Sequence, residues 1–82
     1  MRDKIMKKAY VLIHCDLGKE GDILDTLRSI KSVKEAHGMF GAYDIIAEVT
    51  SENHEQLQED ITWKIRRLPA IRATLTLMGM EK

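Results

Sequence analysis

Residues 33–50 of the chain read VKEAHGMFGAYDIIAEVT, and this stretch decides the fold. Residues 42–50 alternate in the manner of a strand, which places four side chains on one face: Tyr43, Ile45, Ala47 and Val49. Residues 33–40 predict a second, less apolar strand. Between the two strands, Phe40-Gly41-Ala42 has the residue types of a turn. The stretch therefore predicts two neighbouring strands joined by a tight turn.

The chain before this hairpin predicts a strand followed by a helix. Residues 9–15 are apolar, β-branched and weakly alternating, so we expect a strand there. The segment 18–21, with a glycine at each end, breaks that strand. Asp22 then caps or enters a helix whose apolar residues follow helical spacing: Ile23, Leu24, Leu27 and Ile30.

The chain after the hairpin predicts a second helix and a fourth strand. Ser51 is the expected helix cap. The apolar stripe of this helix is formed by Leu57, Ile61, Ile65 and Leu68. Pro69 should stop the helix. In the following strand one face carries Ile71, Ala73, Leu75 and Leu77, and the other carries Arg72, Thr74, Thr76 and Met78.

The resulting order, β-α-β-β-α-β, is typical of the α+β class and of the ferredoxin-like fold. In that fold two helices cover one face of a four-stranded antiparallel sheet. The sequence contains no linker and no low-complexity segment. We therefore expect residues 1–82 to form a single domain, with residues 1–8 as a flexible lead into the first strand.

The two faces of this sheet carry different residues. One set suits packing under the helices: Val11, Ile13, Ile45, Ala47, Val49, Leu75 and Leu77. The other set should be polar, yet it combines Tyr10, Leu12, Ala36, Phe40, Ile46, Met78 and Met80 with His14, Glu48, Arg72, Thr74 and Thr76. Such a half-apolar face predicts an interface, most simply a two-fold α/β-sandwich dimer in which sheet packs on sheet. Alternatively, one strand is out of phase by one residue, which would scatter these side chains.

Length and composition exclude several classes of protein. The 82 residues carry 13 Lys and Arg against 13 Asp and Glu, and zero net charge argues against a nucleic-acid binder, which needs a basic face. A chain of this size buries only about 60–65% of its unfolded surface, so we expect stabilisation by a second copy. Its apolar runs are too short for a membrane span or a signal peptide, and one unpaired cysteine fits a reducing compartment. We therefore expect a cytoplasmic protein that binds no membrane.

The sequence offers no clear catalytic or metal-binding constellation. His14 and Cys15 are neighbours in a strand, so they point to opposite faces and cannot act as a pair. His14, His37 and His54 fall in three different elements, and their spacing predicts no metal site. We expect no catalytic residue, no metal and no cofactor.

The turn between the two middle strands is the most distinctive segment. Gly38 and Gly41 flank it, and Asp44 stands directly behind it. A glycine allows close approach of the backbone to a ligand, exposed N–H groups can hold a carboxylate, and Asp44 can hold an ammonium group. Together these groups fit a free α-amino acid. From the residues alone, an ordinary hairpin turn with a surface Asp44 and a buried Tyr43 is the favoured interpretation.

Several segments together resemble one family. The motif Gly41-x-Tyr43-Asp44, followed by the strand residues 45–49, is similar to the signature of the C-terminal effector domain of the Lrp/AsnC family of leucine- and asparagine-responsive regulators. This domain is often called the RAM domain. The resemblance extends along nearly the whole chain, through residues 32–36 and the ending Leu68-Pro69-Ala70-Ile71-Arg72.

The resemblance implies a subunit that dimerises through its sheet and assembles further into a tetramer, octamer or decamer. It also implies that a small effector, usually an amino acid, binds between dimers near the Gly-x-Tyr-Asp turn. The ligand-binding residues it assigns are Gly41, Ala42 through its backbone, Tyr43 and Asp44, with Thr74 and Thr76 on the last strand.

The sequence departs from the family at two points. Full-length members carry an N-terminal helix-turn-helix domain, whereas eight residues precede the first predicted strand here, so we expect no direct DNA binding. Ala70 stands where the family commonly has Gly, which should matter little for the site.

Four functional hypotheses remain open, of which direct nucleic-acid binding has the least support. The first is a non-enzymatic amino-acid sensor that modulates transcription indirectly by co-assembling with full-length Lrp/AsnC regulators. The second is a ligand-free dimerisation module, and the third is a small dimeric αβ-barrel enzyme that would use His14 and Glu48. Trp63 lies far from the apolar stripe of its helix. It marks either an interface beyond the dimer or a rim position covered by the stems of Arg66 and Arg67.

Overall fold

A computed structural model describes residues 7–78 as a four-stranded antiparallel sheet with two helices on one face. The strands are β1 (Lys7–Cys15), β2 (Val33–Gly38), β3 (Ile45–Ser51) and β4 (Ile71–Met78), and the helices are α1 (Glu20–Ser29) and α2 (His54–Asp60). Their order across the sheet is β2-β3-β1-β4. This architecture confirms the predicted α+β, ferredoxin-like fold.

The core lies between the sheet and the helices, on what we call the covered face. Its centre is β1, which is hydrogen-bonded to β3 on one side and to β4 on the other. Alternate residues of β1 and β3 are fully buried there: Ala9, Val11, Ile13, Ile45, Ala47 and Val49. The helices contribute Ile23 and Leu27 from α1, and Leu57, Ile61 and Ile65 from the second helical segment. The period-2 and helical patterns predicted all of these residues except Ala9.

The start of α1 agrees with one of the two predicted roles of Asp22, whereas the predicted cap of α2 is wrong. α1 begins at Glu20, so Asp22 enters the first turn rather than capping it, and its negative charge lies at the positive end of the helix dipole. Ser51 does not cap α2, because β3 extends through Ser51 and buries it. Asn53 is the cap instead: its side-chain oxygen accepts a 2.7 Å hydrogen bond from the backbone N–H of Gln56.

The second helix changes its winding after Asp60. Residues Ile61–Ile65 form one π-helical turn, in which the N–H of Arg66 donates to the carbonyl of Ile61 at 3.0 Å. The step of four residues from Leu57 to Ile61 rotates slightly more than one full turn, because an α-helical turn holds 3.6 residues. The step of four residues from Ile61 to Ile65 rotates slightly less than one full turn, because a π-helical turn is wider, so the two deviations offset each other. The π-helical turn therefore keeps both Ile61 and Ile65 in the core, in line with Leu57.

The segment 66–70 joins this helix to β4. Leu68 packs against the core from this segment rather than from the helix, and Pro69 follows it there. Ala70 adopts a φ of 72°, a left-handed conformation that a side chain disfavours. Its carbonyl accepts a 2.8 Å hydrogen bond from the N–H of Asp16, which ties the start of β4 to the end of β1. A glycine at this position would relieve the backbone strain.

The predicted phase of β4 is wrong. Leu75 lies opposite Leu12 and Leu77 opposite Tyr10, whereas Thr74 and Thr76 lie opposite buried residues of β1. Residues directly opposite each other in an antiparallel pair share a face. Leu75 and Leu77 therefore lie away from the helices, and the two threonines lie on the covered face. The cause is a bulge at His14/Cys15, where Arg72 is the extra residue.

Four further predictions about the open face are corrected or lie outside the described residues. Ala36 is buried opposite Ala47, because β2 has its own bulge between Val33 and Glu35. Phe40 lies beyond the end of β2, and Met78 lies opposite Ala9 on the covered side. Met80 lies outside residues 7–78.

The first strand also begins earlier than predicted. Lys7 and Lys8 are paired with Ser51 and Thr50, so they belong to β1 and not to a flexible lead. The rest of that predicted lead, residues 1–6, lies outside the described residues.

The open face has a continuous apolar centre, formed by Tyr10, Leu12, Ile46, Leu75 and Leu77. Leu75 is 44% exposed and Leu77 is 49% exposed. Polar groups border this centre, including the 3.3 Å ion pair between Lys8 and Glu48. The error in β4 thus leaves the open face more continuously apolar than predicted, because two leucines replace two threonines.

Candidate functional site

The candidate site is the loop between β2 and β3, at the end of the sheet where β1 ends. It contains the six residues 39–44, because β2 ends at Gly38 and β3 begins only at Ile45. The predicted three-residue turn is therefore too short. Two backbone hydrogen bonds of 2.8 Å fix the base of the loop: the N–H of Met39 donates to the Asp44 carbonyl, and the N–H of Asp44 donates to the Ile13 carbonyl.

The Asp44 side chain ties this loop to β1. Its Oδ2 accepts a 2.9 Å hydrogen bond from the backbone N–H of Cys15 and lies 3.0 Å from Nδ1 of His14. The hydrogen bond from Cys15, followed by the interaction with His14, holds the pKa of the Asp44 carboxyl below its usual range. Asp44 therefore satisfies the backbone N–H of Cys15 at the end of β1 and fixes the loop in place.

The tip of the loop is exposed and has a special backbone conformation. Gly41 adopts a φ of 137°, which is available to glycine and strained for other residues. A Cβ at Gly41 would meet no atom within 4 Å, so the requirement lies in the backbone angle rather than in space. Phe40 is fully exposed beside it, and Tyr43 is half-buried. Within residues 7–78, the N–H groups of Gly41 and Ala42 donate to no other group.

The structure does not bring Thr74 and Thr76 to this loop within one chain. Both lie on β4, and β1 separates β4 from β3. Thr76 instead lines a separate groove of about 400 Å³ between β4 and the second helix, together with Gln58 and Arg66. The four loop residues of the predicted site thus lie together, and the two threonines lie elsewhere on the subunit.

His14 is the residue of this region that the sequence did not assign to the site. It follows Leu12 on the open face, and its ring contacts Asp44 from a position 30 residues earlier in the chain. A local pattern gives no signal for such a contact. Cys15 is buried on the other side of β1, and that burial raises the pKa of its thiol, as expected for an unreactive core cysteine.

Within residues 7–78 the structure contains neither a candidate metal site nor a helix that could span a membrane. Among residues 7–78, no group of three or more His, Cys, Asp or Glu side chains is placed to bind a metal ion. Neither helix within the same range has the length and apolar content needed to cross a bilayer.

Two solved structures of about the same length as this chain are similar to it. FFRP-DM1, known from its crystal structure, is 34% identical over 90% of this chain and 99% of its own, with a TM-score of 0.87. The hypothetical protein PHS023 from Pyrococcus horikoshii is 32% identical over 95% of this chain and 93% of its own, with a TM-score of 0.86.

A longer regulator matches over part of its length. AsnC from E. coli is 25% identical over 93% of this chain, with a TM-score of 0.85, and the match covers 52% of AsnC. This chain therefore corresponds to about half of that regulator. A comparison with curated proteins finds no match. The family model described as the Lrp/AsnC ligand-binding domain matches residues 8–82, and the chain therefore belongs to the Lrp/AsnC family.

Proposed function

We propose that this chain is an effector-binding domain that senses a free α-amino acid at the loop formed by residues 39–44. The observation that carries this proposal is the contrast within that loop. Its base is fixed by Asp44, while the N–H groups of Gly41 and Ala42 at its tip make no hydrogen bond within the described residues. Such a preformed loop loses little conformational entropy when it binds a ligand.

The proposed binding mode uses both charged groups of an amino acid. The N–H groups of Gly41 and Ala42 hold the carboxylate, in the manner of a backbone anion nest. Asp44 accepts the ammonium group: its two hydrogen bonds in this subunit end on Oδ2, and a carboxylate has a second oxygen with further acceptor capacity. Tyr43, half-buried beside them, borders the ligand side chain.

The proposed site is completed by a neighbouring subunit. In a single subunit the loop tip is open to solvent, and Thr74 and Thr76 are placed elsewhere. We therefore assign the two threonines to contacts across a subunit boundary. A ligand held between subunits would favour the assembly in which both halves of the site meet, and so would shift the population of assembly states.

The open face supports the dimer on which this mechanism depends. Its apolar centre, defined above, is flanked by polar and charged groups, the usual arrangement of a protein interface. We propose that two copies pack these faces together about a two-fold axis. Larger assemblies, and mixed assemblies with full-length regulators, would then carry the ligand signal to transcription in the cytoplasm without direct DNA binding by this chain.

The same open face is the observation that favours the second candidate, a ligand-free dimerisation module. The enzyme hypothesis finds less support. The row formed by Leu12 and Ile46 separates His14 from Glu48, and Glu48 is paired with Lys8. The family to which the chain belongs consists of regulator domains.

The test is titration calorimetry of the purified chain with each of the twenty amino acids. We expect at least one to bind, and expect Asp44→Asn to weaken its binding at least tenfold. The asparagine keeps an oxygen for the N–H of Cys15 but removes the charge that holds the ammonium group. The matched control is Asp25→Asn on the exposed side of α1, which should bind as the wild type does. Failure of all twenty to bind would leave the ligand-free module as the function.

A further inference from the structure

The outer side of the second helix carries an exposed tryptophan beside two glutamates. Glu55, Glu59 and Trp63 are spaced four residues apart along α2 and the π-helical turn. Trp63 is 60% exposed, although tryptophan side chains are largely buried on average. Together with Gln58 and Thr62, these residues line a shallow depression of about 300 Å³, which we call the tryptophan depression. Its volume is at the lower end of the range for small-ligand sites.

The indole ring of Trp63 already holds one cation of its own chain. The Arg67 guanidinium lies 5.0 Å from the centre of the ring, within the range of a cation–π contact. Arg67 covers only part of the ring, so the rim interpretation of Trp63 accounts for only part of its surface. Arg67 follows Trp63 along the helix, whereas the other residues of the depression precede it. The tryptophan depression therefore lies on the N-terminal side of the indole, away from Arg67.

The charges around the tryptophan depression are unbalanced. Residues 52–63 include four acidic residues and no Lys or Arg. Asp60 is buried and ion-paired with Lys64 at 3.5 Å, but within the described part of the chain Glu55 and Glu59 form no ion pair. Glu55 lies in the first turn of α2, where the helix dipole offsets part of its charge, whereas Glu59 lies one turn later. The depression thus combines negative charge with an exposed aromatic face.

We propose that the tryptophan depression binds an organic cation that carries an alkylammonium or guanidinium group. The cation lies against the part of the indole that Arg67 leaves open, and the carboxylates of Glu55 and Glu59 hold its charge. A metal ion fits less well, because two carboxylates supply fewer oxygen ligands than Ca²⁺ requires and an indole supplies none. An aromatic face beside carboxylates instead suits a cation that is partly apolar.

The proposed site stays accessible in the dimer proposed above. The buried residues of the second helix face the sheet, so the tryptophan depression lies on the side of the subunit opposite the open face. The dimer that packs two open faces together, which we call the sheet-face dimer, therefore leaves the depression uncovered. The site also uses no residue of the loop 39–44, so it is independent of the proposed amino-acid sensor.

The test is a fluorescence titration, because Trp63 is the one tryptophan of the chain and reports this site directly. The probes are ethylguanidinium and spermidine, which have no carboxylate and so lack the group that the loop 39–44 is proposed to hold. Surface contacts of this kind are weak, so at low ionic strength we expect a saturable change with a dissociation constant on the order of 1 mM. Ethylurea, which has nearly the shape of ethylguanidinium but no charge, is the matched control and should give no saturable change.

Three variants test the charges around the indole. The double variant Glu55→Gln/Glu59→Gln keeps the shape of the depression and should weaken binding of both cations about tenfold, because it removes both carboxylates. Asp25→Asn on α1 removes a distant carboxylate and should bind the probes as the wild type does. Arg67→Gln should instead strengthen binding about threefold, because it removes a like charge from the same ring. A merely structural role for these residues would not produce changes of opposite sign.

The absence of a saturable change with either cation would overturn the proposal. So would an equal response to ethylurea, or unchanged binding in the double variant. If the probes bind, a capped peptide of three arginines, which has the same charge as spermidine, identifies the source of the cation. Tighter binding of the peptide assigns the site to a basic segment of a partner protein, and tighter binding of spermidine assigns it to a free polyamine. Asp44→Asn should change none of these titrations, so failure of this site and failure of the amino-acid sensor are separate results.

Discussion

The two faces of the sheet are built from the same kinds of side chain but lie in different surroundings. On the covered face, Val11 and Ile13 are fully buried beneath the helices. On the open face, Leu75 and Leu77 are each about half exposed. An apolar residue in a strand therefore indicates that its position is shielded from water, but it does not indicate which element shields it. One face excludes water within the subunit, and the proposed dimer would cover the other with a second sheet.

The largest expected effect tests the covered face. Leu27→Ala in α1 removes a fully buried side chain and should lower the free energy of unfolding by about 2–5 kcal/mol. Urea denaturation at one fixed protein concentration measures this loss, because self-association also contributes to stability. The control is Leu17→Ala, since Leu17 is almost fully exposed and its truncation should change little. Equal losses in both variants would contradict the assignment of the core.

The second largest effect tests whether the open face, unlike the covered face, is shielded from water by a second subunit. Leu75→Glu should leave the subunit folded but weaken the sheet-face dimer by about a hundredfold or more, because the contact would bury an unpaired charge. Sedimentation equilibrium measures the association, and circular dichroism confirms the fold. Leu17→Glu adds the same charge at an exposed position and should not change the association. An unchanged dimer in Leu75→Glu would mean that the open face is simply solvated.

A smaller effect concerns Ala70, which directly precedes β4 at the end of the sheet. Ala70→Gly should stabilise the subunit by about 0.5–1 kcal/mol, since it removes the strain of a left-handed alanine and this gain exceeds the added entropy of the unfolded chain. The measurement is urea denaturation in the Leu75→Glu background, which removes the contribution of sheet-face association. The control Ala73→Gly, within β4, should destabilise the same background, because glycine weakens a regular strand. Destabilisation by both changes would argue against strain at Ala70.

The smallest effect is a dependence on pH at Asp44, which contacts His14 on the open side of β1 and the backbone of Cys15. The pKa of Asp44 is lowered in the folded state, so its contribution to stability is complete above the unfolded pKa, about 3.9. That contribution is lost as the pH falls through the lowered folded pKa. Because the side chain is 27% exposed, solvent weakens the effect.

The variant Asp44→Asn isolates this dependence. Below about pH 4, its free energy of unfolding should fall less steeply with decreasing pH than that of the wild type, because the amide does not titrate. Asp25→Asn, at an exposed position on α1, should keep the wild-type slope. Identical slopes in all three proteins would remove Asp44 as a source of acid sensitivity.

The sequence was sufficient to predict the buried face of a strand that has neighbours on both sides and helices above it. The alternation in β1 and β3 predicted their buried residues, because both strands are central in the sheet. It failed in β4, an edge strand whose phase depends on the bulge at His14/Cys15. A bulge inserts a residue without any change in local composition, so periodicity cannot detect it. The cap of α2 shows the same limit: the sequence predicts Ser51, but Ser51 is paired within β3 and Asn53 is the cap instead.

For the candidate site, the sequence located the loop but not how it is held. The glycines and Asp44 predicted a turn with a carboxylate behind it, and the structure places them together. The contacts of Asp44 with His14 and Cys15 join residues about 30 positions apart, and only the folded sheet brings them together. Thr74 and Thr76 followed from family resemblance alone, and in one subunit they lie apart from the loop.

The π-helical turn at Ile61–Ile65 has a consequence for how sequences related to this one can change in length. A π-helical turn holds more residues than an α-helical turn. Deleting one of its exposed residues, such as Thr62, would let the helix close as regular α-helix without losing its hydrogen-bonded path. Ile61 and Ile65 would then be three residues apart, a spacing that keeps both on one face of an α-helix. A one-residue gap in an alignment at this segment should therefore leave the apolar positions that follow it on the core side of the helix.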